Sequence, residues 1–181
     1  MLGDESHEVQ EALISHLDIV LSQFAVTNVE MKTAAYGELV TPICQLCNTT
    51  TSWRKQLSLL EQFTNFPQYF TAEQIYDSFL PLLFKYMQQS AAPVKCSAAR
   101  LLCLFLRRLK YRYQREEIAQ RLITEFARGQ SYWLRMLFVD ICTYILDIFS
   151  RIFFKTNFYF IALELAKVRL GGGVGWYDGT G

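Results

Sequence analysis

Cys44 and Cys47 form a C-x-x-C motif, which is the spacing of half a zinc site or of a redox-active pair. A zinc site needs a second pair of ligands, and none occurs at a suitable distance along the chain. A redox pair opens a helix after a strand, whereas these cysteines lie inside an apolar helical stretch after Pro42. Because they are three residues apart, both lie on one helix face. We therefore expect both thiols to pack in a core, and we expect no metal.

The other residues that could support chemistry do not form a catalytic set. His7 and His16 are nine residues apart, which places them on opposite faces of a helix. Glu116 and Glu117 are neighbours that point apart in a first helical turn, where the helix dipole favours acids. The glycine-rich end contains a G-x-G spacing, but no strand precedes it and no helix follows it. We expect no catalytic residues and no cofactor.

The distribution of glycine and proline indicates how the chain is built. Six of the nine glycines lie in the last eleven residues, whereas the range 1–170 contains only three glycines and four prolines. Sheet proteins need many turns, which draw heavily on these two residue types. So few breaks over so long a stretch predict an all-α protein of long helices with short connections.

Apolar residues recur at steps of three and four, which predicts a series of amphipathic helices. Their expected ranges are 6–25, 29–48, 52–66, 71–89, 93–112, 115–128, 131–149 and 151–167. Ser52, Thr71 and Ser131 are the expected N-caps, and Gln74 completes a capping box with Thr71. Pro93 fits a first helical turn, where its missing N–H costs nothing.

The starts of three helices repeat at a nearly constant spacing. Trp53-Arg54, Val94-Lys95 and Leu134-Arg135 each place a base directly after an apolar residue. The two intervals between these starts are almost equal, and a period near 40 with two helices per period is typical of an α-solenoid. We therefore predict about four stacked helix pairs.

Residues 79–109, FLPLLFKYMQQSAAPVKCSAARLLCLFLRRL, carry a recognisable pattern within this repeat. Pro81 lies inside the first helix, Val94-Lys95 opens the second, and the small residues Ala98 and Ala99 follow. The stretch resembles a HEAT repeat. The wider region 53–122 is similar to the HEAT-repeat regulatory and scaffold subunits of serine/threonine-protein phosphatases, which include the scaffold of protein phosphatase 2A.

The resemblance implies a non-catalytic chain that binds a phosphatase catalytic subunit, of the phosphatase 4 type. By similarity to the scaffold, the contact would lie on the turns between the helices of each pair, here residues 48–53, 89–95 and 129–135. The partner-binding residues on these turns would then be Trp53, Arg54, Lys95, Trp133 and Arg135. A HEAT adaptor in transport or translation, which binds charged protein tails or RNA, is the alternative.

Charge is unevenly distributed along the chain. Residues 1–40 carry seven acids and one base, whereas residues 95–135 carry ten bases and three acids. Within the basic region, Arg107, Arg108, Arg112 and Arg115 form a candidate edge in which Tyr111 and Tyr113 are interleaved. This edge is either a docking surface for an acidic protein or for nucleic-acid phosphates, or a solvated helix end. The net charge of +1 and the lack of a nucleic-acid motif argue against nucleic acid.

We expect three regions: an acidic N-terminal helix at 1–28, HEAT-like repeats at 29–167, and a disordered glycine-rich tail at 168–181. The tail would mark an abrupt end of a longer array, through truncation or an alternative C-terminus. The polar, acidic start lacks the pattern of a signal peptide. The charged residues Asp140, Asp147, Arg151 and Lys155 interrupt the apolar stretch 137–166, so we expect no membrane span. The five cysteines are an odd number and most lie in apolar helical runs, which indicates free thiols and a cytoplasmic location.

Overall fold

The computed structural model describes residues 7–27 and 32–171, with side chains described at 12–23 and 36–167. The helices are α1 (His7–Thr27), α2 (Lys32–Thr49), α3 (Trp53–Gln62), α4 (Ala72–Gln74), α5 (Leu80–Gln89), α6 (Ala92–Arg108), α7 (Arg112–Leu122), α8 (Tyr132–Ile148), α9 (Arg151–Asn157) and α10 (Tyr159–Gly171). A 3-10 segment, Phe63–Gln68, follows α3, and π-helical turns at Ile75–Phe79 and Ile123–Ala127 follow α4 and α7. No strand occurs in these ranges, and the predicted all-α class is confirmed.

The chain divides into two compact units, Met1–Arg115 and Glu116–Gly181. In the first unit, α5 packs along α6, and α3 packs against both α1 and α6. In the second unit, the π-helical turn Ile123–Ala127 packs on α8, and α10 contacts α8 and α9. Each unit is thus built from consecutive helix pairs, as expected of an α-solenoid with HEAT-like repeats. The three predicted regions stay a prediction.

Phenylalanines fill the core of the first unit where the 3-10 segment meets the first π-helical turn. Phe63, Phe66, Phe70 and Phe79 are buried, and the centroids of their contacting rings are 4.0 to 5.7 Å apart. Such pairs add to the free energy gained by burying the rings. The cluster joins the end of α3 to the start of the next helix pair.

The residues that carry the HEAT pattern are placed as the pattern predicts. Val94, Ala98 and Ala99 have no exposed surface, because α5 and α6 approach closely along this face. Pro81 lies in the first turn of α5. Since proline has no N–H to continue the α-helical hydrogen-bond ladder, its position fits the π-helical turn before it, in which the N–H of Leu80 donates to the carbonyl of Ile75.

The predicted capping box is confirmed. The hydroxyl oxygen of Thr71 accepts from the N–H of Gln74 at 3.2 Å, and Gln74 Oε1 accepts from the N–H of Thr71 at 2.9 Å. Ser52 and Ser131 precede α3 and α8 as expected, but neither side chain accepts a capping hydrogen bond. The sequence also contained a cap that we did not predict, at Ser150, whose hydroxyl accepts from the N–H of Phe153.

Two predicted helices were too long. The helix expected at 93–112 ends at Arg108, because the buried Leu109 is extended, with φ −64° and ψ 132°. The helix expected at 151–167 is broken at Phe158, whose side chain is fully buried near Phe138.

The last helix differs from the prediction at its end. It continues through Gly171, four residues into the segment that we expected to be disordered. Residues 172–181, the rest of the predicted tail, lie outside the described residues. Across the described ranges, no helix combines the length and apolar character that crossing a membrane requires.

Candidate functional site

An open groove lies between the turns of two helix pairs in the first unit. Residues 50–52 connect α2 to α3, and residues 90–91 connect α5 to α6. The groove between them has a volume of about 490 Å³, and its lining includes Asn48, Trp53, Gln56, Lys85, Tyr86 and Gln89. We call it the turn groove. It lies at two of the three turns for which the sequence predicted partner contact.

The floor of the turn groove is uncharged and held by a hydrogen bond between the two pairs. The buried Tyr86 of α5 donates its hydroxyl to the carbonyl of Cys47 in α2 at 2.9 Å. Burial raises the pKa of Tyr86, and the nearby Cys47 raises it further. Burial also raises the pKa of the Cys47 thiol to about 12. Neither group ionises near neutral pH, so the floor stays uncharged.

Polar side chains fix the walls of the turn groove. Lys85 Nζ donates to Asn48 Oδ1 at 2.7 Å, which links α5 to the end of α2. Gln56 Nε2 donates to the carbonyl of Thr50 at 2.8 Å, which holds the turn against α3. Lys85 gives the lining a positive charge, and no acidic residue lines this groove. The walls therefore offer hydrogen bonds and favour an anionic or neutral polar group.

Trp53 and Arg54 lie together at the rim. Trp53 is 38% exposed, and the guanidinium carbon of Arg54 lies 4.3 Å from the centroid of its ring. This cation–π contact contributes about 0.5–1 kcal/mol at an exposed site. Trp53 lines the groove, whereas Arg54 does not, and the contact places the charge of Arg54 against the ring of Trp53.

Lys95, the second base predicted on the turns of this unit, does not line the turn groove. It lies in the first turn of α6, half-buried, and its N–H donates to the carbonyl of Ala91. Its charge is thus near the second turn but outside the groove itself.

The predicted residues of the third turn lie in the second unit. Trp133 is 73% exposed, with its ring edge-on to Tyr132 at a centroid distance of 5.7 Å. Arg135 Nη1 donates to the carbonyls of Gly129 and Gln130, both at 2.8 Å. Trp133 is therefore presented to solvent, whereas Arg135 ties the turn to the start of α8.

The predicted basic edge lies at the connection between α6 and α7. Arg107, Arg108 and Arg112 are exposed, whereas Arg115 is half-buried. Arg115 Nη1 donates to the carbonyl of Leu109 at 2.6 Å, just after the end of α6. The four arginines therefore differ in role, since Arg115 stabilises the connection and the other three carry exposed charge.

The C-x-x-C motif lies in α2, with Cys47 buried and Cys44 half-buried. Burial raises the pKa of both thiols, so both are protonated and weakly nucleophilic at neutral pH. Among the described residues, no group of three or more potential ligands could hold a metal ion. His16 is exposed at a kink in α1, and the side chain of His7 lies outside the described residues.

The sequence reasoning missed the lining residues Gln56, Lys85 and Tyr86, of which only Lys85 is charged. Lys85 lies four residues before Gln89, which the prediction already placed at the second turn. Residues four apart share a helix face, and this spacing could have brought Lys85 to attention.

Helix pairs that bury small residues between them and present a groove at their turns define a helical-repeat protein of the HEAT type. No protein-family model matches the chain, and no solved structure matches it.

Over 173 residues the chain is 36% identical to the serine/threonine-protein phosphatase 4 regulatory subunit 4 of Mus musculus, and 35% identical to that of Homo sapiens. Each alignment covers 91% of this chain and 20% of the relative, so the chain spans one fifth of the length of these curated relatives. The resemblance found in the sequence is confirmed, and the chain is a relative of this regulatory subunit.

Proposed function

We propose that this chain is a non-catalytic regulatory or scaffold element that binds the catalytic subunit of a serine/threonine-protein phosphatase, of the phosphatase 4 type. Both relatives are named as regulatory subunits of that phosphatase, which supports a regulatory role without catalysis. The observation that carries the proposal is the turn groove, because it lies where the resemblance to phosphatase scaffolds locates partner contact.

The composition of the turn groove suits a protein contact. Trp and Arg are enriched among the residues that dominate binding energy at interfaces, and Trp53 with Arg54 forms such a pair at the rim. Lys85 and Gln89 add polar groups that could pair with the partner. The hydrogen bonds in the walls fix this geometry in advance, which lowers the entropy lost on binding.

Affinity purification followed by mass spectrometry tests the proposal. A tagged full chain should recover a phosphatase catalytic subunit from cell extract. The double variant Arg54→Glu with Lys85→Glu reverses the charge of the lining residue Lys85 and of Arg54, which lies against the lining residue Trp53. We expect it to lower recovery about tenfold, which corresponds to about 1.4 kcal/mol. Arg100→Glu is the matched control, because Arg100 is exposed in the middle of α6 and does not line the groove.

Two results would contradict the proposal. Wild-type chain that recovers no phosphatase subunit argues against the partner, and a groove variant that recovers as much as the Arg100→Glu control argues against the site. RNA that binds with a steep dependence on salt would instead favour the adaptor hypothesis.

We also propose that the chain functions in the cytoplasm. All five cysteines are thiols outside any disulfide, and Cys47, Cys103 and Cys142 are buried. Buried thiols that form no disulfide are typical of proteins in a reducing compartment.

A further inference from the structure

A second charged surface lies at the opposite end of α6 from the turn groove. Residues 107–115, RRLKYRYQR, carry five bases and no acid. The 17 residues of α6 span roughly 25 Å at 1.5 Å per residue, so this surface is separate from the groove. We call it the Arg–Tyr platform, and its members are Arg107, Arg108, Lys110, Tyr111, Arg112 and Tyr113.

Two tyrosine rings form the apolar part of the platform. Tyr111 is 50% exposed and Tyr113 is 61% exposed. Their ring centroids are 5.6 Å apart, and the ring planes make an angle of 21°. Tyr and Arg are among the residue types enriched at protein interfaces, where the ring provides contact area and the hydroxyl provides a hydrogen bond.

The backbone beneath the platform is held in place. Leu109 and Gln114 are buried on either side of the tyrosines. Arg115 donates to the carbonyl of Leu109 at 2.6 Å, and Lys110 Nζ lies 3.9 Å from a carboxylate oxygen of Glu73. These contacts fix the connection between α6 and α7 before any partner binds. Binding there therefore costs little free energy for ordering this connection.

We propose that the Arg–Tyr platform binds an extended acidic segment of a partner protein. The exposed Arg107, Arg108 and Arg112 lie within six residues of one another and create a local positive field that attracts carboxylates. Guanidinium and tyrosine hydroxyl groups donate hydrogen bonds to carboxylate oxygens, and hydrogen bonds to an ionised group are the stronger ones. The outer faces of the two rings accept the apolar side chains that lie between the acids.

Nucleic-acid phosphates would meet the same charge, but two observations favour a protein segment. The rings of Tyr111 and Tyr113 stack on each other, so a base cannot enter between them as it would between separated aromatic side chains. Residues 1–40 have a net charge of −6, and the chain as a whole has +1. The positive field is therefore local, whereas nucleic-acid binding relies on many phosphate contacts along a basic surface.

Fluorescence anisotropy with the purified full chain tests this proposal. The probe is a fluorescein-labelled peptide rich in glutamate and leucine, and the control peptide has glutamine in place of each glutamate. A labelled oligouridine of equal length serves as the nucleic-acid probe. We expect the acidic peptide to bind, the glutamine peptide not to bind, and added salt to weaken binding.

Two variants locate the binding to the platform. We expect Arg108→Glu to weaken binding of the acidic peptide about tenfold, since it reverses an exposed charge. The double variant Tyr111→Ser with Tyr113→Ser should weaken it to a similar extent by removing the rings. Lys155→Glu reverses an exposed base on α9 that belongs to neither surface; it is the control and should bind the peptide as wild type does.

The proposal is wrong if the acidic peptide does not bind, or if it binds no better than its glutamine counterpart. It is equally wrong if oligouridine binds more tightly than the peptide, or if both platform variants bind as wild type does. The platform variants leave the turn groove unchanged, so we expect them to recover the phosphatase subunit as wild type does. The two proposals can therefore fail separately.

Discussion

The arginines near the turns and connections perform two different tasks in this protein. Arg135 and Arg115 direct their guanidinium groups to backbone carbonyls, at Gly129 and Leu109 respectively. Arg54 instead stacks on an exposed tryptophan at the rim of the turn groove. Carbonyls near a helix end need donors from elsewhere, and arginine supplies them. Arg135 and Arg115 therefore stabilise connections, and charge reversals meant to test binding are better placed at Arg54 and Lys85.

The third turn has no room for a side chain at Gly129. A Cβ atom added there would lie 2.7 Å from the carbonyl oxygen of Glu125 and 3.2 Å from that of Phe126. We expect Gly129→Ala to lower the free energy of unfolding by about 1–3 kcal/mol, because both obstacles are backbone atoms. Urea unfolding followed by circular dichroism measures this change.

The neighbouring substitution Gln130→Ala serves as the control, since Gln130 is exposed. It should change the free energy of unfolding by no more than about 0.5 kcal/mol. Equal unfolding midpoints for the two variants would show that the turn relaxes to accept a methyl group.

At the scale of elements, the helices begin with caps of unequal strength. Thr71 and Gln74 exchange two hydrogen bonds at the start of α4. Ser52 and Ser131 occupy the same position before α3 and α8, but their hydroxyls accept no capping bond. The same residue type at an N-cap therefore does not guarantee the same contribution.

We expect Thr71→Ala to cost about 1 kcal/mol of stability, because it leaves the N–H of Gln74 without its acceptor. Ser52→Ala and Ser131→Ala should each lower the free energy of unfolding by only about 0.2 kcal/mol, because neither hydroxyl accepts a capping bond. Thermal and urea unfolding of the three single variants compare them directly. A loss at Ser52 or Ser131 as large as that at Thr71 would contradict this ranking.

The helices could be predicted from the sequence because their apolar stripes follow local spacing. The N-cap at Thr71 could be predicted because its capping box involves residues only three apart. The helix ends at Leu109 and Phe158 could not be predicted, since each depends on the burial of a side chain in the folded protein. The turns of the candidate site followed from the regular spacing of the helix starts. Lys85 and the carbonyl contacts of Arg135 required the folded spacing of the helices, which no local pattern contains.

At the scale of the whole molecule, one helix connects two separate surfaces. The turn groove borders the start of α6, and the Arg–Tyr platform begins at its end, roughly 25 Å away. A chain with one partner at each end would hold the two partners close together without itself performing chemistry. This arrangement agrees with a regulatory or scaffold role.

The thiols report whether the whole molecule is folded. Cys96 is exposed, Cys44 is half-buried, and Cys47, Cys103 and Cys142 are buried. Burial raises the pKa of Cys47 and of Cys142 to about 12, from an ordinary value of 9.0. We expect iodoacetamide at pH 8 to modify Cys96 rapidly and the three buried cysteines only after unfolding in urea, as read by peptide mass spectrometry.

The thiols of Cys47 and Cys142 also determine whether the folding stability rises or falls with pH. Because their pKa is higher in the folded chain, the stability they contribute is complete below about pH 9 and is lost as the pH rises toward 12. Rapid modification of Cys47 or Cys142 in the native protein at pH 8 would contradict the burial described above.

The hydrogen bonds from Tyr86 to Cys47 and from Lys85 to Asn48 have a mechanical consequence. Both bonds cross from one helix pair to the next. Arrays of helix pairs bend through small rotations between neighbours, and these two bonds resist rotation at this joint. Under tension along the array, the joint would behave as a stiff element, and a partner seated in the turn groove would be held at constant spacing while more compliant joints stretched.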